Sequence, residues 1–318
     1  MLSTSPHVAA QTTNTWDGGG TNNNWNTAAN WVGDVAPVSG NTLSFAGSTR
    51  TDATNNFAAN TVFNLYFASG ASPFTLSGAT IALGSANNNG TGNVWNLWSG
   101  AANTQTISAN LDLSSGGGGA RTISVVAGGT ILISGNISGT ANGGLVKTGG
   151  TGTLVLTGNN TFTGNNFDVQ TGTLQVSSIG NTNAASAAGS TLRIGLGANA
   201  NTASLVLADS SAAQSSDKQI SVGNNVAGMA GGANIRNENA NAAYTLNFSA
   251  ANFNVTAGLS SPNTTRTLTF GGINTGNNTV AGIIINNNAS AAIAVAKADA
   301  GTWILSGANL YTGGTTIS

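Results

Sequence analysis

The chain has 318 residues, enough for one long core, but only 5% of them are Asp, Glu, Lys or Arg and its net charge is −1. That balance leaves no basic patch for nucleic acid and no charged tail. Cysteine is absent, which removes disulfides, thiolate metal sites and a cysteine nucleophile, and no run approaches the ~20 apolar residues that span a bilayer.

Glycine is abundant (45) and proline scarce (4). The apolar 40% comes in short alternating runs, which excludes disorder, and the three-residue glycine period of collagen is missing. The first stretch, 1–15, reads as a flexible N-terminal segment. Its Val8-Ala9-Ala10-Gln11 looks like the tail of a signal-peptide cleavage region without the apolar stretch that should precede it. Residues 16–40, rich in Trp, Gly and Asn, read as a cap.

From residue 41 to 318 the pattern is short strands. Leu43 and Phe45 alternate with polar neighbours, then Leu65 and Phe67, Phe74 and Leu76, Ile81 and Leu83. Val94-Trp95-Asn96-Leu97-Trp98 is heavier and fits a stack edge or a bulge. Ile107, Leu111 and Leu113 follow, then the loop 114–119, Ile123 and Val125, and Ile131 and Ile133. The second half continues with Leu192 and Ile194, Leu205 and Leu207, Ile220 and Val222, Leu246 and Phe248, Phe253 and Val255, and Leu268 and Phe270. Residues 181–190 form the longest candidate loop or short helix. The alanine-rich stretch 289–300 has helix propensity, but Ala291, Ile293 and Val295 alternate at period two, so it reads as strand. Runs recurring every 10–14 residues suit either a β-sandwich or barrel pair, or a β-solenoid.

An internal repeat favours the solenoid. Gly152-Thr153-Leu154-Val155-Leu156-Thr157-Gly158-Asn159-Asn160-Thr161-Phe162-Thr163-Gly164 returns as Gly301-Thr302-Trp303-Ile304-Leu305-Ser306-Gly307-Ala308-Asn309-Leu310-Tyr311-Thr312-Gly313. Lys147 precedes one copy and Lys297 the other. This pattern resembles the autotransporter-associated β-strand repeat of bacterial surface proteins, with copies near 145–176 and 297–318. Trp16-Asp17-Gly18-Gly19-Gly20, Trp25 and Asn30-Trp31 resemble the start of large secreted proteins that carry it. The resemblance implies a right-handed parallel β-helix, secreted or on the cell surface, and implies no enzyme. On that scaffold Leu154, Leu156 and Phe162, with Trp303, Leu305 and Tyr311, form the expected repeat core and stack on one another's positions in different coils. Gly158 and Gly313 would supply turn conformations closed to other residues. Asn159, Asn160 and Asn309 would tolerate left-handed φ or stack their amides in a ladder.

Chemistry-bearing residues are sparse. The acids are Asp17, Asp34, Asp52, Asp112, Asp168, Asp209, Asp217, Glu238 and Asp299, with no visible pair for glycoside hydrolysis and no cluster for a calcium-dependent lyase. His7, the single histidine, lies in the leading segment and reads as a bystander. The run 116–119 lacks the Lys-Ser/Thr ending of a phosphate loop and reads as a turn. A calcium site at Asp17 or Asp34 is the strongest metal candidate, and it is weak. No catalytic residue, metal site or cofactor is assigned. Trp16, Trp25 and Trp31 either stack on sugar rings or plug the end of the solenoid over its apolar core, and the plug is the preferred reading.

The sequence therefore predicts an all-β, right-handed parallel β-helix with short strands and Gly/Asn turns. Its expected role is a non-catalytic extracellular or cell-surface structural protein: a passenger, adhesive stalk or fibre subunit. A polysaccharide-binding module and a carbohydrate-active enzyme on the same scaffold are the rivals. Near-zero charge and few gatekeeper lysines suggest head-to-tail self-association into fibres, with residues 1–15 lying across a neighbour's open edge. The chain stops in mid-repeat, which fits a fragment of a longer protein equally well.

Overall fold

Alternating residues put one side chain in and the next out, and short runs of that kind can bury their apolar side only by stacking. The computed structural model shows this arrangement. It describes residues 12–84, 87–88, 94–114, 119–141, 143–164, 166–181, 192–195, 202–223, 231–249, 253–255, 265–286 and 292–318. Each turn of the chain contributes up to three strands, and each strand pairs with its counterpart one turn away. One sheet has 14 strands, a second has 11 and a third has four. Among the described residues one strand pair is antiparallel, Asn87–Asn88 with Val94–Trp95, and the other pairs are parallel. The architecture is a parallel β-helix, and the sandwich alternative, which needs antiparallel hairpins, is excluded.

The second face is the most regular. Thr104–Ile107, Thr130–Ile133, Thr153–Leu156, Gly172–Val176, Ala203–Leu207, Ala233–Asn237, Arg266–Gly272, Ile293–Lys297 and Thr315–Ile317 follow one another in register. Paired residues lie 22 apart at Leu145↔Phe167 and 33 apart at Ile220↔Phe253, so coil length varies while the strands stay aligned. Corners absorb the difference. A single buried cluster runs from Trp16 to Val295 along the interior.

Several expectations need correction. Thr13–Trp16 is a strand paired with Thr42–Phe45, so the last residues of the expected flexible segment 1–15 belong to the first sheet. Residues 1–11, including His7, lie outside the described residues, as do 115–118 and 182–191. Ile293–Lys297 is a strand, as the alternation predicts.

The two repeat copies do not occupy equivalent faces. Thr153–Leu156 lies on the second face between Thr130–Ile133 and Gly172–Val176, whereas Trp303–Leu305 lies on the third, against Asn278–Val280. Leu154, Leu156 and Phe162 are buried, while Trp303, Leu305 and Tyr311 are half-buried against the core. Because coils differ in length, the motif is tied to a corner and not to a face.

That corner is the same in both copies. Asn160 N–H donates to Gly158 O at 3.1 Å, and Asn309 N–H to Gly307 O at 2.9 Å. Asn160 Oδ1 accepts from Ile137 N–H at 2.7 Å, and Asn309 Oδ1 from Ile284 N–H at 3.0 Å, each in the preceding coil. These asparagines therefore stitch coils through backbone N–H groups. Asn159 N–H likewise donates to Asn136 Oδ1 in the preceding coil, and none of Asn159, Asn160 and Asn309 has positive φ. Gly158 and Gly313 also lack positive φ. Their reason is contact: a methyl at Gly158 would collide with Gly135 O, and one at Gly313 would lie 2.6 Å from Ile293 O. Positive φ falls at Gly164 (φ 148°) in the first copy and at Gly314 (φ 87°) in the second, one position beyond Gly313, the equivalent of Gly164.

Candidate functional site

The aromatic cluster at the N-terminal end is built by a segment that doubles back. Asp17 N–H donates to Asn30 O, and Val32 N–H to Thr15 O, so residues 30–32 run along the outer edge of Thr13–Trp16. Asn30 is buried and ties the loop: Gly20 N–H donates to its Oδ1, and its Nδ2 donates to Asn22 O and Asn24 O at 2.9 Å. This covers a strand edge that would otherwise be free to pair with another chain.

Trp16, Trp25 and Trp31 are at most 1% exposed. Trp16 meets Trp31 edge-on at 5.1 Å, and all three surround Phe45 at 5.5–6.1 Å. Trp16 Nε1 donates to Thr49 O and Trp31 Nε1 to Trp25 O. Trp25 Nε1 has no acceptor, and its ring stands edge-on to Phe63. No ring presents a face to solvent, so stacking on a sugar has no surface here. The exposed apolar side chains nearby are Val32, Val35 and Val38.

Several carboxylates are engaged by neighbouring groups. Asp17 Oδ1 accepts Gly19 N–H in a local turn, and Asp112 Oδ1 accepts from Ser114 N–H and Oγ. Asp168 forms a bidentate pair with Arg193 across two coils. Asp34, Asp209 and Asp299 hold left-handed turns (φ 56°, 56° and 61°). Two carboxylates converge at Arg236, which bonds Glu238 at 2.6 Å and Asp299 at 2.7 Å. The Gly272 N–H holds the Asp299 carboxyl below the usual carboxylate range, reinforced by Arg236 and Lys297. A carboxylate kept ionised with a guanidinium between it and its neighbour is not a general acid. Among the described residues no group of three or more His, Cys, Asp or Glu side chains could hold a metal ion.

Sequence reasoning missed the interior cations. Lys147, Lys218, Arg121 and Arg266 are fully buried. Burial pulls the Lys147 ammonium down to about 8, and the Lys218 ammonium likewise to about 8 despite Asp217 beside it. Their partners are backbone carbonyls at coil corners: Lys147 Nζ donates to Thr171 O at 2.8 Å, and Lys218 Nζ to Asn181 O at 2.7 Å. The buried Asn237, Asn274 and Asn278 form a second polar string, in which Asn237 Nδ2 donates to Asn278 Oδ1 at 2.7 Å and Asn278 Nδ2 reaches Thr302 O at 2.9 Å.

No curated protein and no solved structure matches the chain. No helix among the described residues is long and apolar enough to cross a membrane. Residues 145–176 and 295–318 match the family model described as passenger-associated-transport-repeat, and the chain thus carries that repeat at both places where its motif recurs.

Proposed function

We propose that the chain is a non-catalytic extracellular structural segment, a passenger-type stalk or fibre element displayed at a bacterial surface. The observation that supports this reading most is where the polar side chains go. Those of Asp17, Asp112, Asp168, Asp299 and the buried asparagines hold one coil to the next or close a turn, and the repeat match is to a passenger-associated family. Self-association belongs to the same proposal, because a surface with so few charges offers little repulsion between copies. A head-to-tail contact would have to seat against residues 30–32, which already line the N-terminal edge.

The test is surface labelling of intact cells with an antibody to this segment, alongside a screen for polysaccharide hydrolysis or elimination by the purified chain. The expected result is labelling without permeabilisation and no turnover. Turnover abolished by Glu238→Gln or Asp299→Asn would replace the structural reading with an enzymatic one. Labelling only after permeabilisation would remove the surface assignment.

A further inference from the structure

All three lysines of the chain, Lys147, Lys218 and Lys297, point their ammonium groups at main-chain carbonyls. Lys147 has the fullest set. It sits inward, in the column Leu97–Ile123–Lys147–Val169–Ile194, where its neighbours in the stack are aliphatic. Its Nζ donates to Thr148 O and Gly150 O at 3.4 Å, both at its own corner, and to Thr171 O at 2.8 Å in the next coil. No carboxylate bonds it.

The backbone around it is shaped for the group. Gly149 takes φ 91°, which swings the corner so that its carbonyls can face inward. Gly172 takes φ 70°, and a methyl there would lie 2.7 Å from the Lys147 Nζ and 2.5 Å from Gly152 O. Thr171 closes the ring of contacts from the other side, its Oγ1 donating to Gly149 O at 2.9 Å. The second copy repeats the local half: Lys297 Nζ donates to Ala298 O and Asp299 O, both at 2.6 Å.

We propose that the Lys147 corner is a carbonyl cage for one primary ammonium group, and that filling it fixes the register between this coil and the next. Burial of one face forbids a one-residue slip, and the Asn160–Ile137 and Arg193–Asp168 bonds hold neighbouring coils. A buried polar group inside the column adds a position-specific lock, a known way to specify register. The cage needs three donors, which a primary ammonium supplies and an apolar side chain does not. The inference rests on the fold and is independent of the proposed surface role.

Lys147→Ala removes the native ammonium and leaves room for a small one. Thermal melts at neutral pH would be run with n-propylammonium chloride, with sodium chloride at equal ionic strength, and with n-propanol as an uncharged mimic. The expected result is a saturable rise in the Tm of Lys147→Ala with propylammonium alone, and no such rise for the wild type or for Lys147→Met, whose side chain fills the space. Hydrogen exchange should show the Gln170 and Thr173 amides losing protection in Lys147→Ala and regaining it with propylammonium. Should the variant not fold unaided, refolding from denaturant with propylammonium present takes the place of the melt, and recovery of structure is the expected result. An equal response to propanol, or no response in either format, would overturn the cage.

Discussion

Truncating Leu156 and Leu305 to alanine probes the stacking directly. Leu156 is fully buried and has an in-register neighbour on each side, Ile133 in the preceding coil and Val176 in the next. Leu305 occupies the same place in its repeat copy, yet it pairs with Val280 on one side and stays half-buried. Leu→Ala in a closed core loses the transfer energy of the removed carbons plus a cavity term, about 3 kcal/mol for a site flanked on both sides. Leu305→Ala opens no enclosed cavity and loses contacts from one side, so about 1 kcal/mol is expected. Leu156→Asp should cost several kcal/mol more than the alanine, because a buried carboxylate there would have no partner. Stacked coils need not unfold in one step, so the comparison is best read as the difference in urea midpoint together with exchange protection at each site. Equal losses at both leucines, or a Leu156→Ala loss below about 1 kcal/mol, would show that the assigned burial is wrong.

A methyl at Gly158 would meet Gly135 O, so Gly158→Ala should cost about 1–3 kcal/mol through overpacking, checked by urea denaturation; unchanged stability would mean the coils are not this close. Lys147 and Lys218 ionise near 8 when folded against an ordinary 10.5, so between those values the folded chain sheds protons the unfolded chain keeps. The carbonyls around each ammonium offset part of its desolvation cost without cancelling it. Stability contributed by these groups therefore rises from about pH 8 to 10.5, by on the order of 3 kcal/mol at most for Lys147 and less for the more solvent-screened Lys218, and the rise should shrink in Lys147→Met and Lys218→Met. Identical pH profiles in wild type and variants would refute the burial of the ammonium groups. Trp16, Trp25 and Trp31 should be shielded from acrylamide and indifferent to added oligosaccharides, measured as the fluorescence lost on Trp→Phe replacement at each position; saccharide protection of any of the three would restore the glycan-binding reading.

Much of the fold is legible because period-two alternation maps directly onto inward and outward positions. Leu192 and Ile194, or Leu246 and Phe248, are strand cores for that reason alone. The same rule also marks the buried cations. Lys147 shares the phase of Leu145, Arg121 that of Ile123 and Val125, and Arg266 that of Leu268 and Phe270. A charge inside a core is so costly that the pattern reads as an end of the run, unless carbonyls at a corner are known to receive it. Asn237 is hidden similarly: it follows Ala233 and Ile235 in phase but has the composition of a turn residue. The face on which each repeat copy sits was not legible, since corner lengths between Ile220 and Phe253 or Leu145 and Phe167 leave no trace in the alternation.

The parallel stacking of both repeat copies in one helix is tested most directly by a distance along a single column. Thr104, Thr130, Thr153, Thr173, Ser204, Asn234, Thr269, Ala296 and Thr316 are successive register partners on the second face, eight steps from first to last. At about 4.8 Å per rung the ends lie about 38 Å apart, although 212 residues separate them in sequence. The chain has no cysteine, so spin labels on Thr104→Cys and Thr316→Cys report that distance without background. A narrow distribution centred near 38 Å, allowing about 5–10 Å for the label arms, is the predicted result. A distance under about 25 Å, or one spread over the range of a flexible chain, would contradict the stack.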